Sequence, residues 1–161
     1  MSETTTRAGV RVAVEDPAAT DVVALLREHL DDMYATSPPE SVHALDVARL
    51  RAPDITFVTA RADDGALLGC GALKQHDPTL GELKSMRTAA AARGRGVAAA
   101  VLAFLLDAAR DRDLARVSLE TGAEDYFAPA RRLYARHGFA PCAPFADYTD
   151  DPSSVYLTLA L

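Results

Sequence analysis

Arginine and glycine alternate at Arg93, Gly94, Arg95 and Gly96, directly before an apolar helix pattern that begins at Val97. Glycine lets a ligand approach the backbone closely because it has no Cβ. The first turn of a helix has unpaired N–H groups and a partial positive charge, and the two arginines add full charges. Hydrogen bonds to a charged acceptor contribute about 1.5–3 kcal/mol each, so several backbone donors would outweigh the helix dipole. The segment therefore predicts a phosphate-binding site.

Two other interpretations of this segment stay open on spacing alone. The glycines and arginines could simply start a helix on a solvated surface. Residues 94–99 also fit the dinucleotide pattern Gly-x-Gly-x-x-Ala, with Glu120 placed to bind a ribose at the end of the next strand. Against the dinucleotide site, four alanines separate the preceding strand from the first glycine. That strand also carries charged residues, whereas a central parallel strand should be nearly all apolar; they are Glu82, Lys84 and Arg87.

The sequence after this helix supplies a second motif. Ala115, Val117 and Leu119 alternate with polar residues, which predicts a half-buried strand. A further helix ends in Leu-Tyr-Ala-Arg-His-Gly-Phe at residues 133–139. There Gly138 provides the left-handed residue that stops a helix, and Phe139 begins another strand.

The two motifs together resemble the GNAT superfamily of acyl-CoA-dependent N-acyltransferases. Residues 93–98 match its cofactor motif, Arg/Gln-x-x-Gly-x-Gly/Ala, and residues 133–139 match its later signature, Leu-Tyr-x-x-x-Gly-Phe. The motifs occur in the order and at the spacing of that family, and the resemblance covers roughly residues 80 to 145. Either motif alone is modest, but the pair is specific. One departure is Phe127, which stands where many members have an asparagine that contacts the cofactor.

The resemblance implies acetyl-CoA as co-substrate, with its pyrophosphate on the amides at the start of the helix. The preceding strand would splay from its neighbour and offer free backbone groups to the acyl-pantetheine chain, including a donor near Thr88 for the oxyanion. The implied cofactor-binding residues are Met86, Arg87, Thr88, Arg93, Gly94, Arg95, Gly96, Val97, Ala98 and Tyr134.

Acyl transfer needs a neutral amine, although an alkylammonium has a pKa of about 10.4, so a base must take up a proton. Glu82 is the candidate base, because it lies eleven residues before Arg93, as in histone-type members of the resembled family. The alternative is that Glu82 pairs with Lys84 or a neighbouring strand. Tyr134 is the candidate acid that protonates the departing thiolate; taken by itself it would be a core tyrosine.

The resemblance places the acceptor between the first helices, the strand of Glu82 and the last hairpin. Candidates for acceptor binding are Tyr34, Glu40, His43, Phe145 and Tyr148. Residues 37–43 are polar and lie at a proline break, which is typical of a binding loop but also of a capped helix start. His43 is an alternative base, because a histidine titrates near neutrality. His76 and His137 are expected to be solvated.

These residues predict an acetyltransferase that moves an acetyl group from acetyl-CoA to a small-molecule amine by direct transfer in a ternary complex. One alternative is transfer to a protein lysine or N-terminus. Another is a non-catalytic acyl-CoA-binding sensor that keeps only the phosphate site. The acceptor, the acyl chain and the oligomeric state are left open, including a homodimer.

Composition limits the other function classes. The chain has 161 residues, 49% hydrophobic and 25% charged, which suits one domain over residues 1–161. The net charge of −6 disfavours nucleic acid, because phosphate backbones require clustered cations. No apolar run has the length of a membrane span, and residues 1–6 lack the apolar core of a signal peptide. Two cysteines form neither a metal-binding spacing nor a disulfide framework, so no metal and a cytoplasmic location are expected.

The order of the elements predicts the fold class. Val10, Val12 and Val14 form a first strand, followed by an amphipathic helix through Met33 and a short helical piece around residues 42–50. Residues 55–61 and 66–73 form a hairpin, in which Gly69 and Gly71 indicate a bulge or close backbone approach. The motif strand, two helices and later strands follow, with residues 154–159 pairing at the sheet edge. The expected fold is mixed α/β, a twisted sheet of about seven strands with helices on both faces.

Overall fold

A mixed sheet of eight strands organises the computed structural model, which describes residues 4–7, 9–43 and 46–161. The strand order is β1-β2-β3-β4-β5-β6-β8-β7, and only the β5–β6 pair is parallel among these neighbours. The strands are β1 (Thr4–Arg7), β2 (Val10–Val14), β3 (Ile55–Arg61), β4 (Leu67–Gln75), β5 (Leu80–Thr88), β6 (Arg116–Gly122), β7 (Ala140–Pro141) and β8 (Ser154–Ala160).

Four α-helices accompany the sheet: α1 (Thr20–Thr36), α2 (Val47–Leu50), α3 (Val97–Asp111) and α4 (Ala128–Arg136). Short 3₁₀ turns cover Pro39–Ser41, Ala90–Ala92 and Asp125–Phe127. The helix α1 ends before Pro38, because a residue that precedes proline avoids the helical region, and Ser37 is extended with φ −138° and ψ 151°. The helix α3 stops at Arg112, beyond which Asp113 adopts a positive φ of 59°.

The two faces of the sheet have separate apolar cores. On one face α3 buries Val101, Leu102 and Leu105 against the sheet, and Leu133 and Tyr134 of α4 join the same cluster. On the other face Val22, Leu25 and Leu26 of α1 pack with Leu50 of α2 and Phe57 of β3. A helical repeat of three and four residues places these side chains on one stripe of each helix. The sheet thus separates α3 and α4 from α1 and α2.

Two glycines of β4 bring α3 close to the sheet. A Cβ on Gly69 would lie 2.9 Å from Cγ1 of Val97, and one on Gly71 would lie 2.7 Å from Cγ1 of Val101. Both distances are shorter than real Cβ contacts, so the first two turns of α3 can rest on β4 only where these side chains are missing.

The strand β5 has a bulge directly opposite these glycines. Cys70 pairs with Arg87 and Ala72 pairs with Lys84, so Ser85 and Met86 face the single residue Gly71. Ser85 has φ 56°, a conformation that is uncommon for a residue with a side chain, and its carbonyl accepts a hydrogen bond from the Cys70 thiol at 3.3 Å. Such a bulge bends a strand and redirects the side chains that follow it.

Beyond the bulge, β5 and β6 separate. Their pairing runs from Leu80–Arg116 to Leu83–Leu119 and then stops, although β5 continues to Thr88 and β6 to Gly122. The end of the pairing leaves backbone groups on the facing edges of both strands without a partner in the sheet.

The prediction of a mixed α/β fold with helices on both faces is confirmed, with eight strands instead of about seven. The added strand is β1, a short polar segment at the sheet edge. Two boundaries need correction. The short helix covers Val47–Leu50 only, and residues 44–45 of its expected start lie outside the described residues. The segment from Ser154 pairs with β6 and carries β7 on its outer side, so it does not form the edge.

Candidate active site

The start of α3 is an open mouth shaped by two glycines. Gly94 and Gly96 have φ of 78° and 75°, in the left-handed region that other residues rarely adopt. A Cβ at either position would meet no atom within 4 Å, so the mouth is also uncrowded. The first backbone bond of the helix runs from the N–H of Ala100 to the carbonyl of Gly96, at 3.1 Å. The three preceding N–H groups, on residues 97–99, have no acceptor in the helix and remain available to an anion.

A cavity of about 580 Å³ extends from this mouth to the space between β5 and α4. The exposed Arg93 stands at its entrance, and its walls are mainly apolar. The walls of the cavity include Met86, Arg87, Gly96, Val97, Ala98, Phe127, Ala130, Leu133 and Tyr134. Backbone donors and cations at the mouth with an apolar interior suit a ligand that has an anionic head and a long uncharged tail, as coenzyme A has.

Tyr134 brings a phenol into this cavity. Its side chain is 5% exposed and its ring packs edge-on against Phe139, with the centroids 5.6 Å apart. Its hydroxyl has no hydrogen-bond partner within the described part of the chain, whereas buried tyrosine hydroxyls usually find one. Burial raises the pKa of Tyr134 well above its usual range, so the phenol remains protonated at neutral pH. The group can therefore donate a proton or a hydrogen bond to a ligand.

Arg87 joins the cavity wall to α1. Its guanidinium donates to Glu28 at 2.5 Å and to Asp32 at 2.6 Å, and also to the Tyr126 hydroxyl at 3.2 Å. The bond from Arg87 holds the pKa of Asp32 below its usual range. The Nε–H of Arg87 is buried and has no partner among the described residues. Beside this group, burial and the charge of Arg87 lower the pKa of His29 to about 4.

A second group of polar and aromatic side chains lies on the α1 face of the sheet, near the point where β5 and β6 separate. We call it the polar cluster. Phe145 and Tyr148 pack edge-on with ring centroids 5.1 Å apart, and Tyr148 contacts the ring of His43 at 5.2 Å. Tyr156 lies 5.8 Å from Tyr148, and burial raises its pKa to about 12. The cluster consists of His43, His76, Glu82, Lys84, Glu120, Phe145, Tyr148 and Tyr156.

Glu82 is the most deeply buried charge of the polar cluster, with 2% of the residue exposed. One carboxylate oxygen accepts from Nε2 of His76 at 2.8 Å. The other accepts from Nζ of Lys84 at 3.2 Å and from the Tyr148 hydroxyl at 2.6 Å. Burial, followed by the charge of Glu82, raises the pKa of Tyr148 well above its usual range. Three donors therefore compensate the buried carboxylate.

His43 forms a separate pair with Glu120. Its Nδ1 lies 2.7 Å and 2.9 Å from the two carboxylate oxygens, and the side chains are 36% and 11% exposed. The same carboxylate accepts from the hydroxyls of Ser154 at 2.9 Å and Tyr156 at 3.4 Å. Glu120 is thus fixed from three sides, and the imidazole that it holds still reaches the surface.

The structure brings together only part of the predicted acceptor set. His43, Phe145 and Tyr148 belong to the polar cluster, whereas Tyr34 is 55% exposed on α1 and Glu40 is exposed in a 3₁₀ turn. His76 was expected to be solvated, but its side chain is only 19% exposed, and its Nε2 donates to the buried Glu82 at 2.8 Å. Lys84, Glu120 and Tyr156 were missed as members of this group, although Lys84 was considered as a partner of Glu82 and does bind it. The available signal was that Lys84 alternates with Glu82 on one face of β5, and that Glu120 and Tyr156 pair across β6 and β8.

The chain belongs to the Acetyltransferase (GNAT) family, because the sequence model of that family matches residues 22–139. It is 48% identical over 152 residues to the uncharacterized N-acetyltransferase YsnE of Bacillus subtilis, covering 94% of this chain and 100% of that protein. It is also 48% identical over 150 residues to the uncharacterized N-acetyltransferase YedL of Escherichia coli, covering 93% and 94%. The sequence resemblance is therefore confirmed, and the protein is an acyltransferase.

Solved structures share the fold. A Klebsiella pneumoniae protein provisionally described as an acyl-CoA N-acyltransferase superposes with a TM-score of 0.79 at 28% identity, covering 96% of this chain and 99% of that one. A GNAT family acetyltransferase from Elizabethkingia anophelis, solved with acetyl-CoA bound, gives a TM-score of 0.66 at 14% identity, covering 96% and 100%. At that identity the second likeness concerns the fold alone.

Among the residues that the structure describes, no helix is long and apolar enough to cross a membrane. The same residues contain no group of three or more His, Cys, Asp or Glu side chains placed to hold a metal ion.

Proposed function

We propose that the protein transfers the acetyl group of acetyl-CoA to the amine of a small molecule, directly and within a ternary complex. Acetyl-CoA is the co-substrate, in keeping with the family and with the cavity described above. Val97, Ala98 and the glycines at the α3 mouth would hold its pyrophosphate, with Arg93 and Arg95 adding charge. Met86, Arg87 and Thr88 on β5 would line the path of the pantetheine chain.

The observation that supports this proposal most directly is the separation of β5 and β6. Met86 of β5 lines the cavity, while Glu120 follows the last paired residue of β6 and belongs to the polar cluster. The opening between the strands therefore joins a site for an acyl-CoA to a site for an acceptor. Direct transfer requires this arrangement, because donor and acceptor must meet within about 3–3.5 Å.

Tyr134 is the proposed acid. Its neutral hydroxyl would donate its proton to the sulfur that leaves as the C–S bond breaks, and would recover a proton from solvent. A thiol has a pKa of about 8.5 and leaves readily as an anion, so the expected gain is moderate. The base is proposed to come from the polar cluster, where Glu82 and His43 are the candidates.

A panel of amines tests the proposal. The wild-type protein is incubated with acetyl-CoA and amino acids, polyamines, arylalkylamines and lysine-containing peptides, and released thiol is recorded. Amine-dependent thiol release with at least one small amine, and acetylated product by mass spectrometry, is the expected result. Release with peptides only would move the acceptor to proteins. Binding of acetyl-CoA without release for any amine would instead support a non-catalytic acyl-CoA sensor.

A further inference from the structure

We infer that His43 is the general base of the reaction and that Glu120 is the residue that positions it. The inference rests on the proposed function. The sequence favoured Glu82 as the base. Glu82 and His43 lie in the same polar cluster but differ in their burial and in their hydrogen bonds, and these differences favour His43.

Glu82 has little capacity left to take up a proton. Both of its oxygens accept hydrogen bonds, from His76, Lys84 and Tyr148, and the residue is 2% exposed. Protonation would leave the ammonium of Lys84, itself only 9% exposed, without its counter-charge. An acceptor amine also meets a carboxylate that is almost wholly enclosed by its three donors. Glu82 is better suited to anchoring Lys84 and Tyr148 as walls of the acceptor site.

His43 has the opposite arrangement. A carboxylate can only accept hydrogen bonds, so the Nδ1 of His43 must carry the hydrogen that Glu120 accepts at 2.7 Å. In the neutral ring the lone pair is then on Nε2, and within the described part of the chain no hydrogen bond uses that atom. With 36% of the side chain exposed, an incoming amine can reach Nε2. The edge contact with Tyr148 limits rotation of the ring.

The position of the pair suits the reaction. Glu120 is the first residue of β6 after the pairing with β5 stops at Leu83–Leu119, and it is fixed there by Ser154 and Tyr156. On the opposite strand Met86 lines the acyl-CoA cavity. The imidazole is thus held at the opening through which the acceptor amine must meet the thioester.

The step balances as follows. Nε2 of His43 takes one proton from the substrate ammonium, and the resulting imidazolium is stabilised by the Glu120 carboxylate. The neutral amine attacks the thioester carbonyl and forms the C–N bond, and the second proton of the nitrogen passes to solvent. The C–S bond breaks as the sulfur takes the proton of the Tyr134 hydroxyl, which recovers a proton from solvent. The proton on His43 returns to solvent, so that one proton is released per amide formed.

Charged or titratable groups from three elements lie beside the ring of His43 or beside its partner: Glu120 of β6, Tyr156 of β8, and Tyr148 and Asp151 of the loop before β8. A hydrogen bond from Ser41 and the charge of His43 are among the causes that lower the pKa of Asp151.

The inference is tested by measuring kcat and KM as a function of pH, with a small amine that the wild-type protein acetylates. The variants are His43→Gln, Glu120→Gln and, as a control outside the site, His137→Gln. In the wild-type protein kcat/KM should rise as an imidazole loses its proton between about pH 5 and 8. His43→Gln should lower kcat about 100-fold or more and remove this rise, with the KM for acetyl-CoA unchanged. Glu120→Gln should lower kcat less and shift the rise to lower pH, while His137→Gln should match the wild-type profile.

A ¹⁵N NMR spectrum of the ring provides a readout that does not depend on turnover. The wild-type His43 should carry its hydrogen on Nδ1 at pH 8, and Glu120→Gln should produce a mixture of tautomers. The inference is overturned if His43→Gln keeps the wild-type pH profile with kcat within threefold, or if Nε2 carries the hydrogen. If the wild-type protein acetylates no amine at all, the proposed function fails and this inference fails with it.

Discussion

At the scale of single residues, Tyr134 is the clearest case of a side chain that the fold alone does not require. A phenylalanine would fill the same apolar space beside Phe139, yet the chain places there a hydroxyl that lines the cavity and forms no hydrogen bond among the described residues. A hydroxyl that faces a cavity can donate to or accept from a ligand, so a role toward the ligand explains its presence. The sequence motif identified this residue, but its burial and lack of a partner could only come from the packing of α4.

Replacing Tyr134 with phenylalanine should therefore lower kcat by about 10- to 100-fold while the free energy of unfolding stays the same or rises. The KM for acetyl-CoA should change less than threefold, because the hydroxyl contributes at the sulfur and not at the phosphates. Steady-state kinetics with thiol detection, together with urea unfolding, measure both effects.

The matched control is Tyr126→Phe, which removes a hydroxyl from the same cavity. That hydroxyl contacts Arg87 and Asp32 at 3.2 and 3.3 Å, so its loss should leave kcat within threefold. Equal losses of kcat in the two variants would argue against a specific role for Tyr134.

At the scale of elements, α3 and β4 determine each other's position. The sequence indicated this contact, because two glycines in a strand suggest a bulge or a close approach, and both are present. The exact bulge at Ser85 and the separation of β5 from β6 were not predictable in the same way. They depend on the register between strands that are far apart in sequence, and register is set by packing across the whole sheet.

The contact predicts an energetic coupling between Gly71 and Val101. Gly71→Ala should destabilise the protein by about 1–3 kcal/mol, because the new Cβ would lie 2.6 Å from Sδ of Met86 and 2.7 Å from Cγ1 of Val101. In the double variant Val101→Ala removes the second of these contacts and the Met86 side chain can move, so the combined loss should be smaller than the sum of the two single losses. Urea unfolding of the wild type, the two single variants and the double variant measures this coupling. Additive losses would mean that Gly71 and Val101 are not in tight contact.

At the scale of the whole molecule, the two halves of the site differ in how far the sequence predicts them. The two segments that identify the proposed acyl-CoA half, residues 93–98 and 133–139, are each continuous in sequence, so local motifs predicted them, although β5 and Phe127 also line the cavity. The polar cluster is assembled from six separate parts of the chain: His43, the turn with His76, the β5 pair Glu82 and Lys84, Glu120, the loop with Phe145 and Tyr148, and Tyr156. No local sequence pattern predicts a site assembled in this way. Two residues that were predicted to bind the acceptor, Tyr34 and Glu40, are exposed and lie outside the polar cluster.

The partly buried His29 links the pH to the stability of the whole molecule. Its pKa is about 4 in the folded protein because of burial and, less, the charge of Arg87, against 6.5 as its ordinary value. As the pH falls below about 6.5, the histidine of the unfolded chain binds a proton while that of the folded protein stays neutral. The free energy of unfolding therefore decreases between about pH 6.5 and 4. At pH 5 this loss should be about 1–2 kcal/mol.

His29→Gln should remove that part of the pH dependence. Urea unfolding of both proteins at pH 7.5 and pH 5 measures it, and any change in packing cancels in the difference between the two pH values. The carboxyl groups of Asp21 and Asp32, whose pKa values are lowered by bonds from arginines, act at still lower pH and are common to both proteins. Parallel curves for the two proteins would contradict the assignment.

The proposed function requires that acetyl-CoA binds in the cavity that starts at the mouth of α3. A crystal structure of the complex tests this binding site most directly. We predict the pyrophosphate within hydrogen-bond distance of the N–H groups of residues 97–99, and the thioester sulfur beside the Tyr134 hydroxyl. The thioester carbonyl should lie where β5 and β6 separate. Acetyl-CoA bound elsewhere, or a mouth filled by the protein's own side chains, would contradict the account.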